Sequence, residues 1–219
     1  MSGGVPDVAS VDRADHGRQR QTVANRTHAL ADCQKMNVDS PRLLLVSGST
    51  RNGSTNTAAL RTLRGLAAAR DVEATLFEEM TRLPHFDPDD DDGACLPPAV
   101  DELRWAIGDA DAVVFCTPEY AGALPGAFKN LLDWTVGGVE MYRKPVAWIN
   151  VAAEGRGEGA HASLSTVLGY LGTDVIEAAC MRIPVARSAV AGRGVIDDDG
   201  ILGRLSELLD ALLAHLAAD

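Results

Sequence analysis

Positive charge and aromatic side chains are both scarce in this sequence. Its 20 lysine and arginine residues stand against 31 aspartate and glutamate residues, which gives a formal net charge of −11, and aromatic residues make up 5% of the chain. A chain this acidic is poorly suited to neutralising the many phosphates of a nucleic acid or the headgroups of an anionic membrane. We therefore expect a small molecule or a protein as its partner, and neither nucleic acid nor a membrane.

Long apolar runs and clustered metal ligands are missing as well. No apolar stretch reaches the length of about 18 residues that a transmembrane helix needs, and the amino terminus lacks the apolar segment of a secretory signal. The four cysteines show no C-x-x-C spacing, and the five histidines form no motif such as H-E-x-x-H. The sequence thus predicts a cytoplasmic protein with reduced thiols, with Cys116 in the core and without a metal site.

The first 40 residues differ from the rest of the chain. Residues 1–40 are polar and have no steady periodicity, which predicts a flexible extension. Residues 41–219 have the length of one α/β domain, and hydrophobic residues make up 46% of the whole chain, enough for one sizeable core. Because Met36 lies just before the apolar pattern begins at Arg42, we expect the natural chain to start at Met36.

From Arg42 onward, short apolar strands alternate with amphipathic helices. Strands are predicted at 42–47, 72–77, 112–117, 145–152 and within 174–181; helices are predicted at 56–69 with Asn56 as cap, 97–110, 127–136, 161–171 and around Ile201–Leu216. This alternation is typical of a parallel sheet covered by helices on both faces. Ligands of such sheets bind beyond the carboxyl ends of the strands. The loops at 48–56, 118–124 and 153–159 are therefore predicted to form one site, whereas the acidic run at 87–93 is predicted to be a solvated loop.

The loop after the first strand, "GSTRNGST", has many hydroxyls and no lysine. Gly48 and Gly53 have the spacing of a nucleotide-binding P-loop, but Ser54 and Thr55 stand where that loop requires Lys followed by Ser or Thr. The backbone N–H groups at the start of the next helix favour an anion, and Arg51 adds a fixed positive charge. A single terminal phosphate fits such a loop better than a triphosphate. The alternative is a connecting loop that only caps its helix.

Two more loops are predicted to complete the site. In "TPEYAGALPG", Pro118 and Pro125 restrict the backbone and Gly122 allows a turn, so that stiff main-chain groups can lie along the edge of a flat ligand. Tyr120 offers an aromatic face, and Glu119 is expected to be a solvated charge rather than a catalytic group. The loop "AEGRGEG" lacks the spacing G-x-G-x-x-G and is predicted to be a third wall of the same site, not a dinucleotide fingerprint.

At these residues the sequence resembles the NADPH-dependent FMN reductase family of flavodoxin-like flavoproteins, which includes quinone, azo-dye and chromate reductases. The likeness covers residues 42–185 and rests on "GSTRNGSTNTAAL", "LPHFDPD", "TPEYAGALPGAFKNLLDW" and "AEGRGEG". It implies a doubly wound, five-stranded parallel sheet of order 2-1-3-4-5. It also implies FMN and NADPH or NADH as cofactors, a small electron acceptor as substrate, and a homodimer or homotetramer.

The resemblance also assigns residues to the flavin. The grip on the FMN phosphate falls on Ser49, Arg51, Ser54, Asn56 and Thr57, and the loops that line the isoalloxazine ring hold Pro118, Glu119, Tyr120, Ala121, Gly122 and Gly155. The family's usual "PEYN" is "PEYA" here, so Ala121 contributes only backbone. In the third loop, Ala153, Glu154 and Arg156 replace the usual serine and paired glycines. No catalytic side chain is expected, because a flavin carries the hydride chemistry.

The implied reaction passes hydride from NAD(P)H through the flavin to a quinone, an azo compound, a metal oxyanion or free flavin. Three alternatives remain: a flavodoxin-like electron carrier without NAD(P)H turnover, a nucleotide hydrolase, and a flavin-free binding module. The carrier is less favoured, because residues 48–57 hold no aromatic residue. Trp105, Trp134 and Tyr142 belong either to a subunit interface or to the core.

Overall fold

Four apolar strands of five or six residues form the body of one parallel sheet. In the computed structural model, which describes residues 40–91 and 96–218, they are β1 (Arg42–Ser47), β2 (Glu73–Phe77), β3 (Ala112–Cys116) and β4 (Pro145–Asn150). The strand order is β2-β1-β3-β4-β5, which confirms the predicted flavodoxin-like order. The order reverses between β1 and β3, where a ligand crevice is expected. The predictions for residues 1–39, including the start at Met36, lie outside the described residues.

The predicted fifth strand is divided into two short ones, which is a correction to the sequence analysis. Strand β5 (Asp174–Val175) pairs with the beginning of β4, and β6 (Met181–Arg182) pairs with its end. Between them, a 3-10 turn at Glu177–Ala179 leaves the edge of the sheet. The turn places Ile176 and Ala179 in the core, beside the carboxyl-terminal helix. Burial of these two side chains outweighs the few ladder hydrogen bonds that a continuous strand would add.

Within residues 40–91 and 96–218, five helices cover the two faces of the sheet. They are α1 (Thr55–Ala68), α2 (Pro98–Asp109), α3 (Gly126–Asp133), α4 (Glu158–Tyr170) and α5 (Asp199–Leu216). Alternate residues of the strands face opposite cores: Leu43 and Leu45 pack with α1 and α5, whereas Leu44 and Val46 pack with α2, α3 and α4. Strands β1, β3 and β4 are therefore buried on both faces, as their continuous apolar runs predict, whereas β2 has Glu73 and Thr75 exposed.

Trp134 lies in the core that the sheet forms with α2, α3 and α4. This side chain is fully buried, its indole Nε1 donates to the carbonyl of Pro84 at 2.8 Å, and its ring meets Phe86 edge to face with centroids 5.1 Å apart. Of the three residues considered for an interface, Trp134 therefore belongs to the core. Trp105 and Tyr142 are 70% and 69% exposed.

The acidic run at 87–93 is not entirely the solvated loop that the sequence predicts. The carboxylate of Asp91 forms an ion pair with Arg104 of α2, and the two side chains are only 6% and 8% exposed. The guanidinium also donates to the carbonyl of Trp134 through Nε and Nη2, at 2.9 and 2.8 Å. Asp91 is thus a buried partner of an arginine.

Candidate functional site

The first part of the site is built by the start of α1. Ser54 is its N-cap, and the Ser54 hydroxyl accepts from the backbone N–H of Asn56 at 3.2 Å. Asn56, predicted as the cap, is instead buried: its Oδ1 accepts from the thiol of Cys116 at 3.3 Å, and its Nδ2 lies 3.4 Å from the Ser54 hydroxyl. Asn56 therefore ties α1 to β3, and its side chain is not part of the cavity described next.

Unpaired donors surround a cavity of about 280 Å³ beside this helix start. Within the part of the chain that the structure describes, the Arg51 guanidinium has no acceptor, and neither do six backbone N–H groups: those of Thr50, Asn52, Gly53, Ser54, Thr55 and Thr57. All seven residues except Thr55 line the cavity, together with Ser49. Free amides, the positive end of a helix dipole and an arginine are the donor set that a phosphate monoester requires. The residues present therefore fit an FMN phosphate.

The two glycines of this loop have different reasons to be glycine. Gly53 has a φ of +69°, the left-handed region that side chains disfavour. Gly48 is required by packing, since a Cβ there would lie 2.2 Å from Oγ1 of Thr117 and 2.9 Å from the ring of Phe128. Close contact with β3 and α3 thus fixes the exit of β1, and the hydroxyl of Ser47 adds a 2.8 Å hydrogen bond to Thr57.

The loop after β3 folds into a tight two-residue turn. Tyr120 and Ala123 exchange two backbone hydrogen bonds of 3.1 Å, and the central residues Ala121 and Gly122 have φ values of +51° and +75°. Two successive positive φ values are those of a type I′ turn. Pro118 leads into it, and Tyr120 is 52% exposed. The turn presents backbone groups at the carboxyl end of β3, as predicted.

The loop after β4 is held by two residues that the sequence analysis missed, Asn150 and Arg182. Asn150 Oδ1 accepts the backbone N–H two residues further on at 3.0 Å. Arg182 Nη1 donates to the carbonyls of Ala153 and Arg156 at 3.2 and 2.9 Å. Gly155, at the tip, has a φ of +71° and is exposed. For Asn150 the sequence offered one signal, an asparagine at the end of a buried strand. No pattern linked Arg182 to this loop.

Glu119 differs from the expected solvated charge. It is half-buried, and its Oε2 accepts from the backbone N–H of Ala160 in α4 at 3.1 Å. His161, the next residue, has both ring nitrogens buried without a partner in the described residues, and its ring lies 6.0 Å from that of Trp148. Burial, assisted by the positive charge of Arg182 and opposed by Glu119, lowers the pKa of His161 to about 4. The imidazole is therefore neutral at physiological pH.

The structure thus brings the predicted loops to one edge of the sheet, beyond the carboxyl ends of β1, β3 and β4. Among the described residues, no group of three or more His, Cys, Asp or Glu side chains is placed to hold a metal ion. Over the same residues, no helix is long and apolar enough to cross a membrane.

The family model for NADPH-dependent FMN reductases matches residues 41–186, which contain all three loops. The chain belongs to this family. Members of the NADPH-dependent FMN reductase family are flavoenzymes, so the protein is an NAD(P)H-dependent oxidoreductase with FMN as its cofactor. The predicted fold, reaction class and cofactors are confirmed.

Individual FMN reductase relatives agree with this assignment. An NAD(P)H-dependent FMN reductase of Pseudomonas aeruginosa is 32% identical over 80% of this chain and 94% of its own length. A quinone reductase of Escherichia coli is 36% identical over 42% of this chain and 49% of its own length. Among solved structures, the flavoenzyme NAD(P)H:(acceptor) oxidoreductase FerB of Paracoccus denitrificans is 28% identical and has a TM-score of 0.63, over 80% of this chain and 98% of that one.

Proposed function

We propose that the loop between β1 and α1 holds the FMN phosphate and thereby anchors the flavin of an NAD(P)H:acceptor oxidoreductase. The observation that carries this proposal is that Arg51 and five residues with a free backbone N–H line one cavity, where neither the guanidinium nor these N–H groups have a partner among the described residues. Ser49, Ser54 and Thr57 add hydroxyls on the same wall. The role of Asn56 is indirect, because its side chain orders the helix start from behind.

The isoalloxazine ring is placed by this proposal between the turn at 120–123 and the loop at 153–157. When bound, FMN accepts hydride from the nicotinamide and passes it to the acceptor. Main-chain N–H groups of the two loops are in a position to bind the polar edge of the ring, where negative charge develops on reduction. Ala121 and Gly155 contribute only backbone, and Pro118 stiffens the entry to the turn.

The exposed aromatic residue of this site indicates which class of electron acceptor the protein reduces. Tyr120 is the exposed aromatic residue of the turn, and it offers a flat apolar surface to an aromatic substrate. Relatives of this chain carry the names quinone reductase and NADPH azoreductase. We therefore assign to this protein a small, flat two-electron acceptor such as a quinone or an azo compound.

A second copy of the chain is proposed as the protein's partner. Trp105, Val139 and Tyr142 are large apolar residues with 70%, 80% and 69% exposure, and contact with a second subunit would remove their surfaces from water. A homodimer would cover them. Light scattering coupled to gel filtration measures the assembly directly, and a monomer at micromolar concentration would contradict it.

One titration tests the phosphate site apart from the rest of the proposal. Flavin-free protein is titrated with FMN and with riboflavin, which lacks only the phosphate. FMN is expected to bind about 100-fold more tightly, the effect of roughly two charge-assisted hydrogen bonds. Equal affinities would remove the phosphate from this loop. Addition of NADPH without oxygen should then bleach the bound flavin, and a quinone should restore its colour.

A further inference from the structure

Helix α4 begins without a cap of its own. Its N-cap residue is Gly157, which has a φ of +81° and no side chain to accept from the first turn. The N–H groups of a first turn need acceptors from elsewhere. That of Ala160, the third residue of the helix, donates to Oε2 of Glu119, a residue 41 positions earlier in the chain. A carboxylate is favoured there, because the helix dipole is positive at this end.

The turn at 120–123 lies directly against the backbone of the first residues of α4. A Cβ built at Gly159 would lie 2.2 Å from the carbonyl oxygen of Gly122 and 3.0 Å from Oε2 of Glu119. Neither contact leaves room for a side chain at position 159. The turn at 120–123 and the start of α4 therefore meet through two adjacent contacts, one polar and one steric.

We propose that Glu119 is a positioning residue: its carboxylate caps α4 and thereby fixes the turn at 120–123 relative to the loop at 153–157. This inference rests on the proposed function, in which the flavin ring lies between these two segments. Because Arg182 already holds the second segment, the Glu119 contact completes a preformed slot. A slot that is ordered before binding avoids the entropic cost of ordering it around the ligand. Glu119 itself does not contact the flavin.

The first test needs no flavin. Amide hydrogen exchange in the flavin-free protein reports the opening of the turn through the N–H groups of Tyr120 and Ala123, and the cap through that of Ala160. Glu119→Ala is expected to lower protection at all three amides by about tenfold, the usual effect of losing a cap. Glu119→Gln keeps an acceptor oxygen and should retain most of the protection. Unchanged protection of Tyr120 and Ala123 in Glu119→Ala would overturn the proposal.

A matched control distinguishes the contact between Glu119 and Ala160 from a general effect of removing a carboxylate. Glu158 also places a carboxylate in the first turn of α4, but its side chain is 74% exposed and its ion pair is with Arg182 at 3.4 Å, not with the turn at 120–123. Glu158→Ala should therefore leave the exchange of Tyr120 and Ala123 unchanged. Gly159→Ala keeps both carboxylates and inserts only a methyl group, so it should loosen the same two amides by displacing Gly122. Protection at the wild-type level in Gly159→Ala would contradict the close contact.

Flavin titrations then test the consequence for the site. In Glu119→Ala the dissociation constants of FMN and riboflavin should both rise about tenfold, because the ring side of the site is disturbed and the phosphate side is not. Their ratio should equal that of the wild type, and Glu119→Gln should largely restore both. A changed ratio, or unchanged affinities despite faster exchange, would overturn the positioning role. A wild-type protein that binds neither flavin would contradict the proposed function. The exchange data would still show whether Glu119 holds the turn at 120–123 against α4.

Discussion

Asp91 and Arg104 form an ion pair that is nearly closed to solvent, with exposed side-chain fractions of 6% and 8%. The pair connects the loop that follows β2 to α2, and its arginine continues to the carbonyl of Trp134. Removal of Arg104 would leave the Asp91 carboxylate and the Trp134 carbonyl without this donor, and removal of Asp91 would leave the buried guanidinium without its counter-charge. The pair is therefore expected to matter more for stability than the surface ion pairs of the chain.

Removing one member of this pair should be strongly destabilising. We expect Arg104→Met or Asp91→Ala to lower the free energy of unfolding by about 3–5 kcal/mol, because an uncompensated charge stays buried. Lys129→Ala is the control, since its ion pair with Asp133 lies at the surface and should contribute less than about 1 kcal/mol. Urea denaturation followed by circular dichroism measures all three. A cost for Arg104→Met equal to that of the control would show that the pair is not a buried contact.

Arg51→Ala should weaken FMN binding by about 1.5–3 kcal/mol, the loss of one charge-assisted contact to the phosphate. Riboflavin, which has no phosphate, should bind the variant and the wild type alike. Arg64→Ala is a matched control, because Arg64 is exposed on α1, the helix that follows the Arg51 loop, and does not line the cavity. Fluorescence titration of flavin-free protein gives the constants. If Arg51→Ala weakened riboflavin as much as FMN, the arginine would not be a phosphate ligand.

Ala121→Asn should stabilise the protein by about 0.5–1 kcal/mol. Ala121 has a φ of +51°, a conformation that costs an ordinary side chain about 1–2 kcal/mol and that asparagine tolerates better. Ala121→Val should have the opposite effect, because a β-branched residue is especially disfavoured there. Thermal unfolding of the flavin-free variants measures both. Ala123→Asn, in the same turn at a residue with negative φ, serves as the control and should gain nothing.

Stability should decrease as the pH is lowered below about 6.5, with His161 as one cause. The pKa of this imidazole is lowered to about 4 from 6.5, so between these values the unfolded chain binds a proton that the folded protein excludes. Proton uptake then favours the unfolded state, and the stability that neutral His161 contributes above pH 6.5 is progressively lost towards pH 4.

His161→Leu removes this titration and should reduce the loss of stability between pH 7.5 and 5 by about 1–2 kcal/mol. Urea denaturation at the two pH values measures the difference. In the wild type, the NMR signal of the His161 ring should not shift over the same range. A ring that titrates near pH 6.5 would remove His161 as the cause.

The sequence predicted the strands well, because burial on both faces leaves a plain signature, and the order of the strands was what the family resemblance implied. The runs at β1, β3 and β4 consist almost entirely of side chains that need a core, and the predicted starts of all three match the structure. The segment 174–181 carries the same signature for a different reason. Ile176 and Ala179 are buried by turning towards α5, and an apolar run alone does not distinguish that turn from a strand.

The sequence placed three loops beyond the carboxyl ends of β1, β3 and β4, where the structure has them, but it did not show the contacts between them. Ser54 and Asn56 are both good capping residues, so only the geometry shows that Ser54 caps while Asn56 reaches Cys116. The contact of Glu119 with Ala160 joins residues on different elements, and no local pattern records such a pairing. Residues 118–121 read "PEYA" where the family has "PEYN", and alanine gives no sign of an unusual backbone, so only the structure shows that Ala121 adopts a positive φ.

The burial of the described thiols bears on how the protein would withstand the quinones that we propose as its substrates. A quinone is an electrophile, and it arylates proteins by adding to thiolates. Cys116 is 1% exposed, and burial raises its pKa far above the ordinary value for a thiol. Burial also raises the pKa of Cys180 to about 12. Both sulfurs therefore stay protonated at neutral pH and are weak nucleophiles, which protects this part of the chain from covalent inactivation during turnover.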